Sequence, residues 1–149
     1  MTTPAPARPH SDAAVAAIEA VVSAQASQIL VGRGVQPPGS GWQGEPGASV
    51  HRPYVVLYPM TGTPDGSVAD AVEYLDYQAQ ATCIAATQDG AEAVADLVKT
   101  AWVNAPLPVV GRASYPGQVQ LDRPASRDDT ISPSLHYAVV QVSWRTQRP

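Results

Sequence analysis

The stretch EYLDYQAQATCIA, residues 73–85, alternates between two kinds of side chain over most of its length. The apolar set is Tyr77, Ala79, Ala81 and Cys83, and the polar set is Asp76, Gln78, Gln80 and Thr82. Because successive side chains of a β-strand point to opposite faces of the sheet, this alternation predicts a long strand that is buried on one face only. The small residues allow a helix to pack closely on the buried face. The polar face is expected to contact water or a polar partner.

Two amphipathic helices are predicted on either side of this strand in the sequence. The later helix spans Asp89 to Val103, and Thr87 or Asp89 can cap its N-terminus, since a side-chain oxygen there accepts an unpaired backbone N–H. Its apolar stripe consists of Val94, Leu97, Val98 and Ala101. The earlier helix begins at Ser11 or Asp12 and is ended by Gly32 and Gly34. Its stripe consists of Val15, Ile18, Val22 and Ile29.

Three further strands are predicted, at residues 54–58, 118–122 and 135–146. The last of them carries apolar residues on both faces, and only Gln141, Ser143 and Arg145 interrupt the second face near its end. A strand of this kind is expected either in the centre of a sheet or with one face covered by a neighbouring subunit.

The predicted order of elements is therefore helix, strand, strand, helix, strand, strand. This order favours an α+β fold, a two-layer sandwich in which two helices cover one face of a four-stranded, mainly antiparallel sheet. One domain is expected over residues 11–149, after a flexible tail at residues 1–10. Long loops are predicted at residues 32–52, 60–70 and 123–133, where Gly, Pro, Ser and charged residues concentrate.

Composition argues against several classes of function. The net charge is −4 and the nine basic residues are scattered singly, whereas nucleic-acid binding needs clustered Lys and Arg to neutralise phosphates. The single cysteine, Cys83, cannot form an internal disulfide, which favours a reducing, cytosolic origin. Neither a leader segment nor an apolar run long enough to span a membrane is expected.

No catalytic or metal-binding pattern is found among the residues. The three histidines, His10, His51 and His136, share no spacing that would bring two of them onto one face of one element. The Gly-rich segment before Tyr54 lacks the Gly-Lys-Ser/Thr of a phosphate-binding loop, and no Gly-x-Ser-x-Gly motif is present. We therefore expect no enzyme activity, no cofactor and no metal.

One part of the chain resembles a known family. The pattern PYVVLYP..G.PDGS...AVEYLDYQAQATCIA, which begins at Pro53, and the helix AEAVADLVKTAWV, residues 91–103, resemble the tail terminator (tail completion) proteins of long-tailed bacteriophages. The resemblance covers about residues 52–102. Members of that family form a ring, usually a hexamer, that caps the tail tube, stops its polymerisation and provides the surface to which the filled head attaches.

The resemblance implies a structural virion protein at the tail–neck junction that is made in the host cytoplasm. Its implied partners are copies of itself, the tail tube protein and a head-completion or neck protein, with DNA passing through the ring without specific binding. Acids beside the polar strand face, such as Asp70 and Asp76, could rim that opening. The candidate interface residues are Trp42, Asp65, Gln78, Gln80, Thr82, Arg123, Arg127, Asp128 and Asp129.

Several alternatives stay open from the residues. Trp42 can dock on a partner or can pin its loop on the same domain. The adjacent Asp128 and Asp129 can bind a cation or can simply be solvated. The chain could also be another neck or head-closure ring component, or a small ligand-binding α+β module with an enclosed apolar pocket.

Overall fold

A computed structural model describes residues 7–45, 47–60, 62–66 and 73–149 of the chain. The helices in this part are α1 (Ala7–Ala24) and α2 (Gln88–Trp102). The strands are β1 (Leu30–Arg33), β2 (Gly41–Gln43), β3 (Val50–Arg52), β4 (Tyr54–Pro59), β5 (Thr63–Asp65), β6 (Tyr74–Ala85), β7 (Ala113–Ser114), β8 (Gln118–Asp128) and β9 (Leu135–Gln147).

Seven of these strands form one mixed sheet. β1, β4, β6 and β9 lie side by side, and β8 and β7 pair with successive parts of the far edge of β9. β5 pairs with the first residues of β6, in line with β4. The β1–β4 pair is parallel and the other pairs of this sheet are antiparallel. β2 and β3 form a separate two-stranded ribbon.

The predicted four-stranded, mainly antiparallel sandwich is therefore wrong. The described chain is mostly β, and the additional strands β1, β5 and β7 are two to four residues long. Strands this short join a sheet through backbone hydrogen bonds and leave no side-chain alternation to read in the sequence.

The alternation predicted for the long strand is confirmed. In β6 the odd-numbered residues from Leu75 to Ala85 are buried, and the even-numbered residues are exposed or half-buried. β9 lies centrally, between β6 and β8, as its two apolar faces predicted. The buried faces of β6 and β9 form the core together with α1 and α2, and Trp102 and Trp144 meet edge to face in it at 5.4 Å.

The first helix differs from its prediction at both ends. It begins at Ala7, so residues 7–10 of the predicted flexible tail are helical, while residues 1–6 lie outside the described residues. His10 is buried, with its Nε2 2.7 Å from Oγ1 of Thr146, which fixes this first turn against β9. The helix ends at Ala24, and Ala26 has a positive φ of 50°. Ile29 fits the helical spacing but lies beyond the helix, just before β1.

The three predicted long loops contain regular structure. Residues 32–52 include the β2–β3 ribbon, and residues 60–70 include β5, although residues 61 and 67–70 lie outside the described residues. β8 extends to Asp128 and so occupies half of the predicted loop at 123–133. It passes Pro124 by a register shift between Arg123 and Ser126, which is how an edge strand accommodates proline.

Candidate functional site

The face of the sheet opposite the helices, here called the open face, is the broadest candidate surface. Its residues alternate with the buried ones along the two central strands. From β6 it takes Asp76, Gln78, Gln80, Thr82 and Ile84, and from β9 it takes Tyr137, Gln141, Ser143 and Arg145. The predicted interface residues Gln78, Gln80 and Thr82 thus lie in one row on this face.

One side of this face is covered by the chain itself. A Cβ built on Gly32 would lie 2.1 Å from the carbonyl oxygen of Val35 and 2.8 Å from Cδ of Pro37, so the segment after β1 folds closely over that glycine. The register partner of Gly32 is Val56, which is only 3% exposed. Part of the predicted 32–52 loop therefore covers the open face over β1 and β4. The part that remains accessible is formed by β6, β9 and β8.

The middle of the open face is a layer of uncharged polar side chains. Nε2 of Gln141 donates to Oε1 of Gln78 at 2.7 Å, and Nε2 of Gln120 donates to Oγ of Ser143 at 2.8 Å. These cross-strand bonds hold the side chains in place, while both amide groups keep further hydrogen-bonding capacity for a partner.

Arg145 organises the end of the open face near the start of β6. Its guanidinium lies 4.5 Å from the centre of the Tyr74 ring, and its Nε is 3.4 Å from Oδ1 of Asp76. Asp65 of β5 forms a second ion pair with the same guanidinium. Tyr74, Asp76 and Arg145 line a cleft of about 590 Å³ together with Tyr115. Asp65, a predicted interface residue, is thereby brought onto the open face.

The predicted acidic rim is partly changed by these contacts. Asp76 shares Arg145 with Asp65, so its carboxylate is not an isolated negative charge. Asp70 lies outside the described residues.

The other end of the open face is apolar and forms what we call the apolar groove. It has a volume of about 280 Å³ and is lined by Tyr54, Thr82, Ile84, Asp128, Ile131, Leu135 and Tyr137. Asp128, a predicted interface residue, contributes the carboxylate among these residues. Hydrogen bonds from the hydroxyl and the backbone N–H of Thr130, at 2.5 and 3.0 Å, hold the pKa of Asp128 below its usual range.

The remaining predicted residues lie outside the centre of this face. Trp42 is on the β2–β3 ribbon, 42% exposed, with its ring edge-on to His51 at 5.1 Å. Since Trp42 and His51 are register partners within the ribbon, this contact joins its two strands and leaves part of the indole accessible. Arg123 faces Val139 from the edge strand β8. Arg127, near the end of β8, and Asp129, just after it, form an exposed ion pair at 2.5 Å.

Sequence reasoning missed part of this surface. Met60, Tyr74, Tyr115 and Arg145 were not among the predicted interface residues, yet they contribute to the open face or its cleft. For Arg145 a signal was present, because it follows Gln141 and Ser143 at the same alternate positions of the last strand. Nothing in the sequence indicates that Tyr115 lies beside Arg145.

Within the residues described, no three His, Cys, Asp or Glu side chains come together in a way that could hold a metal ion. No helix in the same part of the chain is both long and apolar enough to span a bilayer. The free thiol of Cys83 is fully buried, and this burial raises its pKa to about 12, against a smaller lowering by Lys99. A thiol in this state is a core side chain and not an activated nucleophile.

Comparisons with known proteins relate this chain to solved structures. No family model and no curated protein matches it. A chain from the "virion of native gene transfer agent (GTA) particle" is 16% identical, with a TM-score of 0.57 over 85% of this chain and 84% of that one. A second solved protein, which carries no functional name, is 20% identical, with a TM-score of 0.51 over 93% of this chain and 96% of its own. At these identities the similarity concerns the fold.

Proposed function

We propose that this chain is a structural protein of a phage-like virion, and that it acts by binding copies of itself and other virion proteins. The observation that carries the proposal is the open face, which combines a fixed polar layer with an apolar groove at one end and a charged cleft at the other. A broad surface of mixed polarity suits protein–protein recognition better than it suits a reaction. The shared fold with a chain of a gene transfer agent virion supports the same class of protein.

More specifically, we propose a tail terminator. In this role the chain forms a ring, with six copies as the expected number, that caps the tail tube and presents a surface for the head or neck. The resemblance of residues 53–103 to terminators supports this role. A ring also requires heterologous contacts, in which different surfaces of neighbouring copies meet, and the two chemically different ends of the open face would serve such contacts.

The polar layer of Gln78, Gln80 and Thr82 is proposed as the surface that meets the tail tube. Amide and hydroxyl groups can pair with backbone groups of a partner whatever its side chains are. DNA is proposed to pass through the ring without being bound, since the net charge of −4 disfavours contact with phosphates. No enzymatic, metal or cofactor role belongs to this proposal.

Another neck or head-closure ring component is the second candidate, because the virion neighbour is equally compatible with it. A small ligand-binding module has weaker support. The cleft at Arg145 has a volume in the range of small-molecule sites, roughly 300–1,000 Å³, but its one cation is already paired with Asp65 and Asp76.

The decisive experiment adds purified protein to polymerising tail tubes and measures tube length by electron microscopy. A terminator shortens the length distribution and is seen as density at one tube end. Tubes that reach their normal length in excess protein would refute the terminator, and binding to isolated capsids instead of tubes would favour the head-closure component.

The surface is tested with two arginine substitutions. Gln80→Arg places a bulky charge in the polar layer, whereas Thr100→Arg places it on the exposed side of α2. Circular dichroism first verifies that both variants fold. We expect Gln80→Arg to lose tube capping and Thr100→Arg to keep it, and the reverse pattern would mean that the helical side meets the tube.

A further inference from the structure

Asp128 carries a negative charge within the apolar groove. Its Oδ1 accepts both hydrogen bonds from Thr130, whose hydroxyl and backbone N–H are neutral donors, and Oδ2 accepts neither of them. The described residues that line the groove include no Lys, Arg or His, and the neighbouring Arg127 pairs with Asp129 instead. Because the bonds from Thr130 hold the pKa of Asp128 below its usual range, the carboxylate is ionised at neutral pH and can receive a cation from outside the chain.

Two hydroxyl groups of the groove also have acceptor capacity that the fold does not use. Tyr54 is only 7% exposed, yet its hydroxyl makes no hydrogen bond to any residue that the structure describes. Its oxygen is not sealed from solvent, so a ligand can reach it. The hydroxyl of the half-buried Thr82 likewise bonds to none of the described residues. The groove therefore offers hydrogen-bond acceptors on three of its side chains.

The rest of the lining suits an alkyl stem better than a bare ion. Ile84, Ile131 and Leu135 contribute aliphatic side chains, against which the methylene groups of an arginine or lysine can pack. Tyr54 and Tyr137 add aromatic rings on which a planar guanidinium can stack. At about 280 Å³ the groove lies below the usual ~300–1,000 Å³ of a metabolite site and suits one inserted side chain.

We propose that the apolar groove binds an arginine side chain of a partner protein that is not a copy of this chain. The guanidinium donates to Oδ2 of Asp128 and to the hydroxyls of Tyr54 and Thr82, while its methylene stem lies against the aliphatic residues. Arginine has five N–H donors and no acceptor, which matches a groove whose polar groups can all accept. The inference deepens the proposed function, on which it rests, because it gives the chemistry of one partner contact on the open face.

The charge balance of the chain favours a different protein as the source of this arginine. With a net charge of −4, copies of the chain repel one another, whereas a cationic partner is attracted. Three of the chain's own arginines already pair with its own acids, Arg33 with Asp12, Arg127 with Asp129, and Arg145 with Asp65 and Asp76. Each of these would have to leave its acid before it could enter the groove of a second copy.

A titration with single amino-acid probes tests the site. N-Acetyl-arginine amide is added to the isotopically labelled full chain, and NMR follows the methyl groups of Ile84, Ile131 and Leu135. N-Acetyl-citrulline amide, which has the same shape but a neutral urea, and N-acetyl-lysine amide, which has the same charge on an ammonium, are the control probes. We expect saturable shifts with the arginine probe and at least about 10-fold weaker binding of the citrulline probe, because the charge-assisted hydrogen bond is lost.

Two substitutions then test the groups that hold the probe. Asp128→Asn removes the charge and keeps an oxygen that can accept the bonds from Thr130, and it should weaken binding of the arginine probe by about 10-fold or more. Tyr54→Phe removes only a hydroxyl and should weaken it by about threefold. Asp96→Asn removes the same charge from the exposed side of α2 and should leave the affinity unchanged. Circular dichroism verifies that each variant folds.

Several results would overturn the inference. Equal binding of the arginine and citrulline probes would show that the charge is not recognised, and binding of the lysine probe at least as tightly as arginine would exclude a guanidinium site. The absence of shifts at the groove methyl groups with every probe would exclude a site there. A native mass that falls on introducing Asp128→Asn would identify a second copy of the chain as the occupant.

The titration is separable from the tube-capping experiment, since it uses the chain without tubes. Arginine binding by a protein that does not cap tubes would support the inference and refute the terminator. Capping by a protein that does not bind the arginine probe would keep the terminator and overturn the inference.

Discussion

Replacing Thr146 by valine is expected to lower the free energy of unfolding by about 2–4 kcal/mol. Thr146 is fully buried near the end of β9. Its hydroxyl oxygen accepts a hydrogen bond from Nε of Arg112 at 2.9 Å and lies 2.7 Å from Nε2 of His10. The same hydroxyl therefore links the first turn of α1 and the segment that carries Arg112 to the central strand.

The magnitude follows from these two bonds. A hydrogen bond between neutral groups contributes about 0.5–1.5 kcal/mol, and one to a charged group contributes about 1.5–3 kcal/mol. Valine has a similar shape to threonine but offers no hydroxyl, so both hydrogen bonds are lost. For a chain of this length, 1 kcal/mol corresponds to a Tm change of roughly 2–4 °C, which gives an expected fall of roughly 5–15 °C.

Urea unfolding followed by tryptophan fluorescence measures this change, because Trp102 and Trp144 are buried in the core. Thr146→Ser is the matched control, since it keeps the hydroxyl and loses one methyl group, for a cost of about 1 kcal/mol. If Thr146→Val is as stable as Thr146→Ser, or more stable, the hydroxyl does not hold these elements together and the reasoning fails.

Three other predictions concern single residues. Gly117→Ala should destabilise the fold by about 1–3 kcal/mol through overpacking, since its Cβ would lie 2.3 Å from the carbonyl oxygen of Trp102; urea unfolding at or above the native midpoint would contradict this. Burial lowers the pKa of His51, so the unfolded chain takes up the proton first, and the Tm should fall as pH drops below about 6.5. His51→Gln should reduce the difference in Tm between pH 7.5 and 5.5, and an unchanged difference would exclude His51 as its source. Cys83, with its pKa raised to about 12 by burial, should react with a thiol reagent only on unfolding, and labelling of the native protein at the rate of a free thiol would show that the core opens.

Side-chain patterns predicted the parts of this fold that are built on periodicity. The strand at residues 73–85 and the helix after it were predicted to within one residue at each end, and both faces of β6 were correct. These elements bury small and branched side chains at regular intervals, which leaves a record in the sequence.

The elements that were predicted wrongly depend on the pairing of backbones between strands. β1, β5 and β7 are short and join strands that are distant in the chain, so no local signal marks them. β8 continues through Pro124 into the predicted loop at residues 123–133, because a register shift there removes the need for a backbone N–H that proline lacks. Ile29 fitted a helix only because an apolar residue before β1 happened to continue the helical spacing.

The candidate surface likewise has one part that the sequence predicts and one part that it does not. Gln78, Gln80 and Thr82 could be placed together, since alternation alone puts them on one face. The pairing of Asp65 with Arg145 could not be predicted, because it requires β5 to lie beside β6.

The central place of β9 has a consequence for how the protein is made. β9 separates β6 from β8 and β7, yet it follows all other elements in the chain. While the ribosome still holds these residues in its exit tunnel, β6 exposes one complete edge and β8 has no strand to pair with. The sheet can therefore be completed only after residue 147 has been translated. Until then, nascent chains on neighbouring ribosomes of one mRNA expose this open edge of β6 to one another.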